Sequence, residues 1–143
     1  MDQKYTIGVD FGTLSARALV VRTCDGKEMA DAGIDTVLPE TGEALPPDLA
    51  LEDPHDFPLV LEYIIPEALR RAGVDKRDVC GIGIDFTCCS VMPVYADGTP
   101  LCFADEYKNN KHAYLKLWKH HAAFEYAEKM TAVASERGEK WLR

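Results

Sequence analysis

The chain has 143 residues, 47% of them hydrophobic and 28% charged, with a formal net charge of −8. This is ordinary for a globular domain with a real core. No run reaches the ~18 apolar residues of a membrane span, and the acidic balance argues against a nucleic-acid partner, which Lys and Arg hold by the phosphates.

The five cysteines, Cys24, Cys80, Cys88, Cys89 and Cys102, form no C-x-x-C, so neither a disulfide scaffold nor a zinc site is indicated. The start Met-Asp-Gln-Lys runs straight into an apolar stretch without a basic leader. Free cysteines and no signal segment make the cytoplasm the expected compartment.

Strands are predicted over Tyr5–Asp10 and Arg17–Thr23, joined by a tight turn about Gly12. A glycine admits close backbone approach, and successive N–H groups in such a turn suit an anion. Thr13 and Ser15 add hydroxyls and Arg17 adds a cation. Asp10, at the strand end, suits a Mg²⁺ that keeps most of its waters. The stretch reads as a phosphate-binding hairpin, and equally as an ordinary hairpin with a polar turn. It is neither a P-loop nor a Rossmann fingerprint.

Asp25-Gly26 is a hairpin signal that returns the chain into a third, edge strand over Glu28–Leu38. Pro39 to Asp53 reads as a surface loop. Asp53-Pro54 suits the start of a helix. Phe57, Val60, Leu61, Ile64, Ile65, Ala68 and Leu69 give it one apolar face, Pro66 a kink, and Gly73 a stop.

Val79–Asp85 is short and almost wholly apolar, and reads as a buried parallel strand covered on both faces. Its Gly81 and Gly83 allow close packing or close ligand approach. Phe86 to Ser90 follows at its carboxyl end, the edge where ligands sit in open α/β sheets. Asp85 there reads either as a ligand contact or as an acceptor of backbone N–H groups. Val91–Tyr95 and Pro100–Phe103 are predicted to pair across Asp97-Gly98. Tyr114–Lys119 reads as a short strand. The last helix is predicted from His121 to Arg137, with Phe124, Ala127, Met130 and Ala134 inward, a Glu125–Lys129 pair, and Gly138 as its stop. No internal repeat or low-complexity tract is read.

D-F-G-T-L-S-A-R after an N-terminal strand resembles the first phosphate loop of the FGGY family of sugar kinases. G-I-G-I-D-F-T-C-C-S with the following P-V-Y-A-D-G-T-P-L resembles the strand and hairpin on that family's sugar side. L-W-K-H-H-A-A and the small residues after D-F-T are similar to the ribulokinase branch. Glycerol kinases place Arg-Glu, and xylulokinases Met-His, where this chain has Cys88-Cys89.

The resemblance implies an α/β ribonuclease H-like (actin-like ATPase) fold, its mixed sheet starting with three antiparallel strands. It implies ATP-dependent phosphorylation of a ketopentose, with ATP and Mg²⁺ as cofactors. Asp10 would serve the metal, Gly12, Thr13, Ser15 and Arg17 the ATP phosphates, and Asp85, Thr87, Cys88, Cys89 and Lys119 the sugar. Leu14 stands where other members carry a second hydroxyl. Residues 1–143 would be the N-terminal portion of an incomplete first domain, with the catalytic base and the nucleotide-binding second domain outside this chain. The partners implied are a small sugar and ATP, with neither nucleic acid nor membrane, and room for a homo-oligomer. Another sugar or sugar-alcohol kinase of the family (xylulose, ribitol or glycerol) and a non-catalytic isolated module are the alternatives.

Overall fold

The computed structural model describes residues 3–35 and 48–140. Alternating apolar residues near the N-terminus form a meander of three antiparallel strands, β1 (Tyr5–Phe11), β2 (Ser15–Arg22) and β3 (Glu28–Asp35). Gly26, at φ 72°, turns the chain from β2 into β3, as Asp25-Gly26 predicts. After the two-residue strand β4 (Leu51–Glu52) comes helix α1 (Asp56–Ala72). Strand β5 (Val79–Phe86) then returns to lie parallel to β1. The mixed sheet runs β3-β2-β1-β5.

Side chains alternate across a strand. Ile7, Val9 and Phe11 of β1, with Ala16, Ala18 and Val20 of β2 and Ala32 of β3, point to one face and are buried. Helix α1 seats Val60, Ile64 and Ala68 there, with Phe57, Leu61, Ile65 and Leu69 partly buried around them. That is the predicted apolar stripe. The three alanines let the helix approach the sheet, and Phe11 meets Phe57 edge-on at 5.1 Å. The helix runs unbroken through Pro66, which is exposed, and ends at Gly73 in the left-handed conformation. It starts later than Asp53-Pro54 implies. His55 is the N-cap, and Asp53 instead accepts from the His55 backbone N–H at 3.0 Å.

Strand β6 (Leu115–Lys116), shorter than the predicted 114–119 strand, pairs antiparallel with β4. The loop predicted over 39–53 therefore ends in a strand, and its residues 39–47, with 36–38 of the predicted third strand, lie outside the described residues. Of the predicted hairpin after Ser90 only the Val94–Pro100 bridge forms, and Leu101–Phe103 is a 3₁₀ turn. Helix α2 (Phe124–Glu136) starts three residues after His121, and Gly138 follows it with φ 69°.

Two expectations about burial fail. Strand β5 is not covered: Ile82, Ile84 and Phe86 are about half exposed, at 53%, 50% and 58%. Among the described residues β5 has a neighbour on one side only, and α1 packs over β2 and β3. In α2, Ala134 is buried, whereas Phe124, Ala127 and Met130 are exposed because no described element lies against that face. The Glu125–Lys129 pair does not form. Lys129 Nζ lies 5.5 Å from the centre of the Tyr126 ring.

The β4–β6 ribbon buries Glu52 to 5% exposure, and among the described residues its carboxylate has no ion-pair partner. Burial, with Asp56 nearby, pushes that carboxyl up to about 7. A carboxyl whose pKa is higher folded than unfolded stabilises the protonated, low-pH protein, and this contribution is lost as pH rises through 7. Glu52→Gln is therefore expected to raise the melting temperature at pH 8 and to change it little at pH 5. Thermal melts of both proteins across pH 5–8 check this, and parallel curves would contradict it.

Candidate functional site

The site lies on the sheet face opposite α1. There Gly8 of β1 is the register partner of Gly83 of β5, and Asp10 that of Asp85. On the other side of β1, Leu19 stands beside Gly8 and Arg17 beside Asp10. These residues, with Val9 and Ile84, line an open groove of about 490 Å³. The glycines form its floor: a Cβ added to Gly8 or Gly83 would meet nothing within 4 Å. On its far side Arg17 is the register partner of Gly33, where an added Cβ would stand 3.8 Å from Arg17 Cγ.

The groove brings together Asp10, Arg17 and Asp85 from the sequence reading. It adds Gly8, which that reading passed over. The signal was present: Ile7-Gly8-Val9-Asp10-Phe11 and Ile82-Gly83-Ile84-Asp85-Phe86 are one pattern written twice. The sheet aligns the two copies residue for residue. Phe86 stacks on Phe11 at 5.6 Å. The match is five residues long, too short for a structural repeat, and shows only as a register.

Asp10 and Asp85 are exposed, and neither is in an ion pair among the described residues. Two free carboxylates side by side repel each other and favour a cation between them. No group of three or more His, Cys, Asp or Glu among the described residues could hold a metal alone. Such a donor set fits a hydrated Mg²⁺, which binds through one or two carboxylates and keeps its waters. Asp85 accepts from the Phe86 backbone N–H at 2.9 Å, the structural role weighed for it.

The turn from β1 to β2 closes with the Gly12 N–H donating to the Ser15 carbonyl at 2.9 Å. A Cβ at Gly12 would stand 3.1 Å from that same oxygen, so any larger residue would press on the carbonyl that closes the turn. Its N–H is thereby spent within the turn. Thr13 and Ser15 are half-buried and Leu14 is exposed. Thr13 Oγ1 accepts from the indole N–H of Trp118 at 3.0 Å, a contact with no signature in the sequence.

The second turn leaves β5 beside the first. The Thr87 N–H donates to the Phe11 carbonyl at 3.1 Å, and the Thr87 and Ser90 hydroxyls are 3.2 Å apart. Cys88 and Cys89 are exposed, and Cys89 takes φ 62°, a conformation costly for a residue with a Cβ. Lys119 is half-buried in the segment after β6, and it, Thr87, Cys88 and Cys89 lie outside the groove lining.

No family model matches the chain. It is 52% identical over 147 residues to a ribulokinase of Mycolicibacterium smegmatis, covering 97% of this chain. A ribulokinase of Geobacillus thermodenitrificans is 46% identical over 149 residues, covering 99%. Over nearly its whole length the chain is thus similar to ribulokinases, which are carbohydrate kinases.

It spans about a quarter (26%) of the length of these curated relatives. Solved structures of the same architecture include a gluconate kinase from Lactobacillus acidophilus, with TM-score 0.68 and 20% identity. That match covers 95% of this chain and 23% of that one. A xylulose kinase from Rhodospirillum rubrum gives TM-score 0.68 and 21% identity, covering 90% and 23%. The mixed sheet is thus part of the ribonuclease H-like, actin-like ATPase fold expected from the sequence.

Proposed function

We propose that residues 1–143 are the N-terminal portion of the first domain of a longer, cytoplasmic kinase that transfers the γ-phosphoryl of ATP to L-ribulose, giving L-ribulose 5-phosphate. The observation that supports this most is the 52% identity, over 97% of this chain, with a protein named ribulokinase. That no helix among the described residues is long and apolar enough to cross a membrane agrees with it.

Phosphoryl transfer needs positioning and charge stabilisation more than covalent chemistry. Mg²⁺, when bound, would draw negative charge off the phosphate oxygens. Asp10, with Asp85 beside it, would hold its water shell over the glycine floor, where the backbone allows close approach. Arg17 would offset charge on the transferred group, and the Thr13 and Ser15 hydroxyls would hold phosphate oxygens. The ketose would lie toward Thr87, Cys88, Cys89 and Lys119. Small side chains at 88 and 89 leave room there for a pentulose. The base that takes the sugar hydroxyl's proton is placed in polypeptide beyond Arg143.

Steady-state phosphorylation by the full-length kinase of L-ribulose, xylulose, ribitol and glycerol tests this. L-Ribulose is expected to give the highest kcat/KM. A preference for another of the four would move the chain to a different branch, and no ATP-dependent turnover of any would end the kinase reading.

A further inference from the structure

Trp118 lies two residues beyond β6 and is 57% exposed. Its indole N–H nonetheless reaches Thr13 Oγ1 at 3.0 Å, joining positions 105 residues apart. An indole nitrogen donates and never accepts. Thr13 Oγ1 is therefore the acceptor in this bond. Its own hydrogen is directed elsewhere, available to an acceptor in the turn.

The segment holding Trp118 is fixed on its other flank. Val91 and Lys116 exchange both backbone hydrogen bonds, at 3.0 and 2.8 Å, and the Leu117 N–H donates to the Ala50 carbonyl at 3.0 Å. Val91 directly follows the Thr87–Ser90 turn. One side-chain hydrogen bond thus joins the turn after β1 to the strand bridge that anchors the turn after β5.

We propose that Trp118 is a positioning residue, which holds the Thr13 hydroxyl as a fixed donor toward an anionic phosphate oxygen and couples the two turns. This rests on the phosphate-turn reading above. A phosphate oxygen offers only lone pairs, and a hydroxyl already accepting from the indole has its hydrogen left to donate when the anion arrives. Preorganised donors of this kind stabilise charge without reorganisation.

The test takes Trp118→Phe, Thr13→Val, the double variant and Thr13→Ser in the full-length kinase. Phenylalanine keeps a ring at the position and removes the donor. Trp118→Phe is expected to raise KM for ATP about five-fold, the scale of one hydrogen bond. The effect on kcat should be smaller, and the melting temperature should hold because the side chain is mostly exposed. Thr13→Val should do at least as much, and Trp118→Phe should then add nothing, whereas Thr13→Ser should keep the coupling. Additive effects, or an unchanged KM for ATP in Trp118→Phe, would overturn the role.

An independent readout needs no ligand. In the ¹⁵N-labelled 143-residue chain, the Trp118 indole N–H should shift and exchange faster with water in Thr13→Val. An unmoved resonance would remove the contact and the proposal with it. If the resonance moves but neither Asp10→Asn nor Thr13→Val lowers turnover, the phosphate-turn reading falls and this role falls with it. If both lower turnover while Trp118→Phe acts additively, only the role of Trp118 is overturned.

Discussion

Asp10→Asn in the full-length kinase is expected to lower kcat by about 10²- to 10³-fold, the scale of losing one electrostatic element of a phosphoryl-transfer site. Asn keeps the shape and loses the charge, so the water shell of the proposed Mg²⁺ would be left with Asp85 alone. The fold should not suffer. Asp10 is exposed, and among the described residues it makes no ion pair. It also stands beside a second carboxylate in register, and like charges across a strand pair destabilise. In the metal-free protein the variant should thus melt at or slightly above the parent temperature. Steady-state kinetics and a thermal melt on one preparation check both halves. A kcat near that of the parent would remove Asp10 from the metal site.

Gly83→Val should separate stability from activity in the other direction. The backbone of Gly83 is ordinary strand, and the added Cβ would have open space around it. A β-branched residue favours such a strand, by up to ~1 kcal/mol over glycine. The variant should therefore fold as well as the parent or better. Its side chain would rise from the groove floor beside Gly8 and push a bound phosphate away from Asp10 and Arg17. A displacement of about 1 Å can cost 10²-fold in rate, so kcat/KM is expected to fall by at least that much. Full activity in a well-folded Gly83→Val would show that the groove is not where the reaction occurs.

The sheet was legible in the sequence because strand pattern and turn chemistry agreed. Alternation in β1 and β2, Asp25-Gly26 between β2 and β3, and the apolar stripe of α1 with Gly73 behind it all point one way. Burial of β5 and α2 was not legible, since an apolar pattern states what a segment can cover and not whether a neighbour is present. Ile82, Ile84 and Phe86 have the composition of a covered strand and stand half exposed. The helix start was misread because Asp53 can cap a helix or accept from its own loop, and it does the latter.

The candidate groove was legible in part. Asp10, Arg17 and Asp85, expected from local pattern and family resemblance, all fall in its lining. Gly8 was missed because a glycine inside an apolar run looks like filler until its neighbour across the sheet is known. Trp118 was missed because a hydrogen bond over 105 residues leaves no local trace.

The parallel pairing of β1 with β5 also sets an order of assembly. The β1–β2–β3 meander closes through short turns and can form early from local contacts. Strand β5 must find β1 across about half the chain, as the Thr6–Gly81 bond 75 residues apart shows. Closing so large a loop is entropically unfavourable until the pairing compensates it. Neither glycine row nor carboxylate pair exists before that step. The groove between the two strands is thus expected to form late in folding, because its glycine row and carboxylate pair exist only once β5 has docked on β1.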